Sequence, residues 1–433
     1  MSSLGERIRA RRKELGLTQS QLGGADLTKG FISLVEKGRA RPSLETLVLL
    51  ARRLQKPVGY FLEEGTALGR KALQLTLSSA WVALKRGEFT QAAEAFKEAL
   101  QVAQQQHDEG AEAECYIGLA SALAGLRQFD LARQNVERGK ELAQTAGAPH
   151  HLARVSHVLG LIEYYQRNLP AAREHFLDGY RRVQELSDPD LSLAGSLLLN
   201  LGNTYQEIGD YVEAARWYRE ALQTLEPTQD FHRIGMVHVQ LGVAHRQGGN
   251  IDAALDHLVR AEHIFELQED VMLLAQARTS IGIMLLERGE IDDAITHLEN
   301  SLHIKERIGD DPGRARTLTE LARAFIAKRA FPEAEKALAE AERLARNAQD
   351  ITESARIQCA RARLHRGMGR IPEATRHYKQ AIASFESLGM RVDLAQACNE
   401  LGELLMEQRR PSEAAPYLAR ALQELKGERA PRR

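Results

Sequence analysis

A repeat of constant length sets the limits on what this chain can fold into. From Phe89, a large or aliphatic residue recurs at Phe129, Leu169, Tyr211, Ile251, Ile291, Phe331 and Ile371, with Pro411 in ninth place, at spacings of 40 residues apart from one of 42. Three residues after each stands an alanine: Ala92, Ala132, Ala172, Ala214, Ala254, Ala294, Ala334, Ala374 and Ala414. Seven positions later comes a second small residue (Ala99, Gly139, Gly179, Ala221, Ala261, Ser301, Ala341, Ala381, Ala421), and twelve before the alanine a third (Ala80, Ala120, Gly160, Gly202, Gly242, Gly282, Ala322, Ala362, Gly402). Composition cannot produce nine agreements in nine places. Self-similarity at this period means stacked units, none of which buries its apolar face alone.

Residues spaced 3, 4 and 7 apart share one helix face, and glycine or alanine there lets two helix axes approach closely. Each unit therefore reads as an antiparallel helix pair. Gly87, Gly209, Gly249, Gly289 and Gly369 fall two residues before the second helix, where a glycine relieves a tight connection. The stretch Leu201-Gly202-x-x-Tyr205 followed by Tyr211-x-x-Ala214-x-x-x-Tyr218-x-x-Ala221 resembles the tetratricopeptide-repeat (TPR) family. Two departures stand out: the proline that commonly closes such a unit is missing, and about six residues beyond the usual 34 lengthen the helices. The expected fold is all-α, a five-helix head followed by an α-solenoid of nine TPR-like helix pairs.

The first 65 residues ignore this register. They read as short amphipathic segments at Leu4 to Leu15, Thr18 to Gly23, Thr28 to Lys37 and Ser43 to Leu54, with a last turn at Pro57 to Leu62. Thr18 with Gln21 makes a capping-box pair, Thr28 and Ser43 are N-cap residues, Gly38 suits a helix end and Pro42 blocks continuation. The run Gly16-Leu17-Thr18-Gln19-x-x-Leu22, then Phe31-Ile32-Ser33-x-Val35-Glu36-x-Gly38 and Arg41-Pro42-Ser43-x-Glu45-Thr46-Leu47, resembles the Cro/phage-repressor helix-turn-helix family, often labelled XRE. The expected domains are 1–65, a DNA-binding head; 66–427, the repeat array; and 428–433, a frayed tail.

Charge agrees with that division. The head holds 12 Lys or Arg against 7 Asp or Glu, hence +5; the remainder holds 46 against 52, hence −6. A positive head attracts the phosphates of double-stranded DNA. On the third helix Ile32 and Val35 face a small core with Ile8, Leu15, Leu22, Leu47 and Leu50. Gly30, Ser33, Leu34 and Lys37 then face away, flanked by Lys29 and by Thr28 at the N-cap, and this face would enter the major groove. Gly30 offers no side chain and Leu34 no hydrogen bond, so readout leans on Lys29, Ser33, methyl contacts and DNA shape. The resemblance further implies that Gln19 holds a backbone phosphate, that Lys37, Arg39 and Arg41 add phosphate contacts, and that Arg12 pairs with Glu36. A surface glutamine completing a cap is the other reading of Gln19.

In a solenoid of helix pairs, the first helix of each pair lines the concave wall. Positions counted from its small residue place there Arg154 and His157, then Asn200, Asn203, Gln240, Arg246, Arg316, Arg323, Arg356 and Arg363. Asparagines can clamp an extended peptide backbone, and arginine forks suit a carboxylate. The alternative is that they are solvated helix faces with intrahelical ion pairs.

No phosphate loop, His-Glu-x-x-His or nucleophile elbow occurs, so neither an enzyme nor a cofactor is expected. His257 and His263 return one repeat later as His297 and His303, which reads as repeat surface, not metal ligation. Cys115, Cys359 and Cys398 are odd in number and widely spaced, arguing for reduced thiols. No run is long and apolar enough for a bilayer and no signal-peptide core opens the chain, so a cytoplasmic protein with no membrane partner is expected. Head and array together resemble the peptide-sensing transcriptional regulators of the PlcR, Rgg and NprR type. That resemblance implies a homodimer on DNA whose array senses a short peptide. The other reading is a TPR adaptor that binds a partner protein such as a response regulator, with DNA binding secondary.

Overall fold

The computed structural model describes residues 4–427 except Pro57 and residues 62–66. The expected tail at 428–433 lies outside the described residues, as do both ends of the expected turn at Pro57 to Leu62. Among the described residues there are 22 α-helices and no strand. They divide into two compact units, Met1–Leu197 and Leu198–Arg433.

The first unit opens with α1 (Leu4–Glu14), α2 (Gln19–Gly23), α3 (Lys29–Glu36) and α4 (Leu44–Arg53), followed by a 3-10 turn at Val58–Phe61. The caps form as the sequence requires. The Thr18 hydroxyl accepts from the Gln21 N–H at 3.2 Å while the Gln21 side chain accepts from the Thr18 N–H at 2.8 Å, and Thr28 and Ser43 cap α3 and α4. Such caps contribute about 1 kcal/mol each. Ile8, Leu22, Ile32, Val35, Leu47 and Leu50 are buried, with Leu15 half-buried at the edge. The same cluster continues through Leu54 and Phe61 to Ala72 on α5 (Ala67–Lys85). The head's core thus crosses residue 65 and is shared with the first helix of the array.

From α5 to α22 (Pro411–Gly427) the helices run to 15–19 residues each. Every second one, beginning with α6 (Phe89–Gln105), starts on the register residue: Phe89, Phe129, Leu169, Tyr211, Ile251, Ile291, Phe331, Ile371 or Pro411. The nine alanines three residues on are all fully buried, at 0% exposure, which is why none is larger. At Gly242 an added Cβ would stand 2.8 Å from Leu258 Cγ and 3.2 Å from the Ala254 carbonyl oxygen. A side chain there would have to displace Leu258 and crowd the Ala254 carbonyl. The connections adopt the left-handed conformation that the glycines foretell, as at Gly249 (φ 79), yet Arg127, Arg167, Arg329 and Arg409 adopt it too, at φ 56–64. An L-residue accepts that cost, about 1–2 kcal/mol, because the docked helices dictate the turn.

Candidate functional site

In the head, Arg12 and Glu36 form a buried bidentate pair, Nε to Oε1 at 2.5 Å and Nη2 to Oε2 at 3.0 Å, which ties α1 to the end of α3. Burial alone would raise the Glu36 carboxyl, but Arg12 and the Gln19 amide hold it below the usual carboxylate range. Gln19 donates from Nε2 to Glu36 Oε2 at 2.8 Å, so its side chain braces α2 against α3. Gly5 sits where any Cβ would collide with the Val35 and Glu36 carbonyl oxygens, which fixes α1 against the same helix end. Arg53, which the sequence pattern did not single out, reaches from α4 to the Leu22 carbonyl at 3.0 Å and to Asp26. These contacts leave one face of α3 open. Thr28, Lys29, Gly30, Leu34, Lys37, Arg39 and Arg41 are exposed and Ser33 is half-buried.

The second unit carries a cleft of about 570 Å³. Its walls come mainly from the first helices of successive pairs, α13 (Phe231–Gln247), α15 (Val271–Arg288), α17 (Asp311–Ala327), α19 (Ile351–Gly367) and α21 (Arg391–Glu407), with Lys305 and Phe385 reaching it from second helices. Arg246, Arg316, Arg323, Arg356 and Arg363 all line it. Asn200, Asn203 and Gln240 are not among its lining residues. The Asn203 side chain accepts from the Tyr218 hydroxyl at 2.8 Å, inside its own helix pair.

Most of the arginines already hold carboxylates. Arg246 pairs with Glu287, Arg323 with Glu320, Arg356 with Asp393 at 3.2 Å, and Arg363 grips Glu400 at 2.6 and 2.7 Å. Three of these pairs link one repeat to the next rather than running within a helix. Glu400 is held below the usual range by Arg363 despite its burial. The arginine forks that suit a ligand's carboxylate are therefore largely filled by the protein's own acids, most of which arrive from the neighbouring repeat.

Left without an ion pair among the described residues are the exposed Arg316 and Lys305, which stands on α16 (Ile291–Ile308) and is 4% exposed. Its ammonium donates to Thr317 Oγ1 at 2.8 Å, Thr279 Oγ1 at 3.0 Å and the Gly313 carbonyl at 3.5 Å, with no ion pair among the described residues. Burial pushes its pKa down to about 8, with repulsion from Arg316 opposed by Asp310. Beside it, Ser301 donates to the Ala275 carbonyl at 2.7 Å. Glu353, 1% exposed, accepts from Thr319 at 2.6 Å, leaves its second oxygen without a partner among the described residues and is raised by burial. The sequence did carry a signal for Lys305. Four residues after the second small position the other repeats have Ala103, Ala143, Val183, Leu225, Phe265, Ala345, Phe385 and Leu425. One lysine against eight apolar residues marks a departure from core packing.

His257 departs from the surface reading: its Nδ1 lies 3.0 Å from that of His238, and its ring stacks on His245. His297 is half-buried, whereas His263 and His303 are exposed. Cys359 lines the cleft, its thiol pushed up to about 12 by burial, and all three cysteines are free and buried. Among the described residues no group of three His, Cys, Asp or Glu is placed to hold a metal, and no helix is long and apolar enough to cross a membrane.

The tetratricopeptide repeat family matches residues 151–227, 193–266, 273–347 and 359–429, and the helix-turn-helix family matches residues 8–61. No curated protein matches the chain in sequence. Among solved structures it is similar to the apo form of RapI (TM-score 0.68, 15% identity, covering 82% of this chain and 97% of that one). It is also similar to the apo quorum sensor NprR from B. thuringiensis (0.64, 16%, 82% and 99%) and to a Rap protein complexed with Competence and Sporulation Factor (0.61, 14%, 83% and 98%). At these identities the likeness is one of fold. With matched repeats across most of the array and the capped helices of its head matched in turn, the chain belongs to the tetratricopeptide-repeat proteins and carries a helix-turn-helix domain.

Proposed function

We propose that the protein is a sequence-specific DNA-binding transcriptional regulator whose repeat array senses a short peptide. One observation carries the reading: the same chain bears a head with an open α3 face and an array with a built, polar cleft. The DNA contacts would come from Lys29 and Ser33 toward base edges, with Lys37, Arg39 and Arg41 on phosphates and Thr28, Gly30 and Leu34 shaping the fit. Gln19 would position α3 through Glu36, reaching a phosphate from the same edge. A single head buries too little surface for tight specific binding, so a homodimer over a two-fold operator suits it. The core shared through Ala72 carries any movement of the first repeat directly into the head.

The effector would enter the cleft of Arg246, Arg316, Arg323, Arg356 and Arg363, with Asn200, Asn203 and Gln240 left to a peptide that extends beyond it. The structural neighbours favour a peptide: a quorum sensor, and Rap proteins in complex with Competence and Sporulation Factor and with a Phr* peptide. Such a regulator would work in the cytoplasm, without catalysis or a cofactor. To test it, the full chain selects duplexes from a random library. Enrichment of a two-fold motif, abolished by Lys29→Ala with Arg41→Ala, is expected; enrichment unchanged by both substitutions would remove the head from DNA recognition. A partner-protein adaptor would instead show no duplex selection and would capture a receiver-type protein through the array.

A further inference from the structure

The buried polar layer around Lys305 interrupts an otherwise apolar column of the array. Lys305, Thr279, Ser301 and Thr317 meet in one hydrogen-bonded network inside the second unit. In the corresponding place other repeats pack Phe265, at 0% exposure, or Phe385, at 1%. Taking an ammonium out of water without a counter-ion is unfavourable, and a phenylalanine or alanine would serve the fold as well. Arg316 adds a second cation on the same wall; it is exposed and forms no ion pair with any described residue. The other four lining arginines are neutralised by Glu287, Glu320, Asp393 and Glu400. Unsatisfied positive charge in the cleft is thus confined to one corner.

We infer that Lys305 and Arg316 form an anion subsite, the place where the cleft's ligand puts a carboxylate. The inference rests on the peptide reading above and sharpens it, because it moves the carboxylate from the paired Arg323 and Arg363 to the unpaired corner. An incoming carboxylate meets Arg316 at the wall and the Lys305 ammonium behind it, where Thr279 and Thr317 hold the amine in place. A peptide can supply that group from its C-terminus or from an aspartate or glutamate side chain.

The two sources separate in one experiment. Random N-acetylated short peptides, one pool with free C-termini and one amidated, are incubated with the full chain, and retained peptides are identified by mass spectrometry after gel filtration. Peptides from the amidated pool should be retained only when they contain Asp or Glu, whereas free C-termini lift that requirement if the terminal carboxylate is the group bound. Arg316→Gln, at an exposed position that leaves the core intact, should lower retention about tenfold or more. Lys305→Met should do the same while its circular dichroism stays that of the parent. Equal retention of amidated peptides without acidic residues, with Arg316→Gln unchanged, overturns the anion subsite and leaves peptide binding standing. No retention from either pool by the parent chain overturns the peptide reading itself.

Discussion

Replacing Lys305 with methionine should stabilise the protein. The ammonium's fall from 10.5 to about 8, caused mainly by burial, amounts to about 3 kcal/mol at 1.36 kcal/mol per pH unit. Methionine keeps the length of the chain and removes the charge. The hydroxyls it abandons retain other partners, Thr279 on the Ala275 carbonyl at 3.1 Å and Thr317 on the Gly313 carbonyl at 2.9 Å. Allowing for imperfect packing of the thioether, the expected gain at neutral pH is about 1–3 kcal/mol. Because the folded amine's pKa is lowered, the penalty is whole below pH 8. Between pH 8 and 10.5 the folded protein gives up the proton first, and parent and variant converge. Differential scanning calorimetry of both full chains from pH 7 to 10.5 measures this. A variant that melts below its parent at pH 7, or an advantage that does not shrink toward pH 10.5, would refute the desolvation argument.

Three further outcomes follow from the same contacts. Gly242→Leu drives a side chain into Leu258 and the Ala254 carbonyl, and should lower stability by roughly 1–3 kcal/mol or more, read as a lowered Tm. Arg12→Ala strands the Glu36 carboxylate among buried groups; a loss of about 3–5 kcal/mol in head stability is expected, with DNA affinity falling alongside, measurable by hydrogen exchange of α3 and by anisotropy. Lys29→Ala leaves folding unchanged and should weaken binding to the selected duplex by about 1–3 kcal/mol if it reads a base, or flatten the salt dependence if it meets a phosphate.

The repeat was legible because every pair needs the same small residues at the same contacts, so Ala92 to Ala414 announced both the helices and their docking. The head was legible through its caps and through the alternation that buries Ile32 and Val35. Compensation was harder to see. Asp393 and Glu400 lie 37 residues from Arg356 and Arg363, and their pairing emerges only once successive repeats stack. Reading each arginine on its own helix therefore overstated the free charge. Gln19 reads in the sequence as a phosphate contact, or else as a surface cap residue, and the fold turns its side chain onto Glu36. Lys305 is less legible because it stands on a second helix, away from the helices that line a solenoid's concave wall, although its place in the register is apolar in every other repeat.

Control of the head by the cleft shows in the affinity of the full chain for its selected duplex, measured with and without a peptide retained by the cleft. A change of about tenfold or more is expected at saturating peptide, in either direction, with Arg316→Gln needing about tenfold more peptide for the same response. Identical affinities for the parent chain with the peptide bound and absent would contradict it.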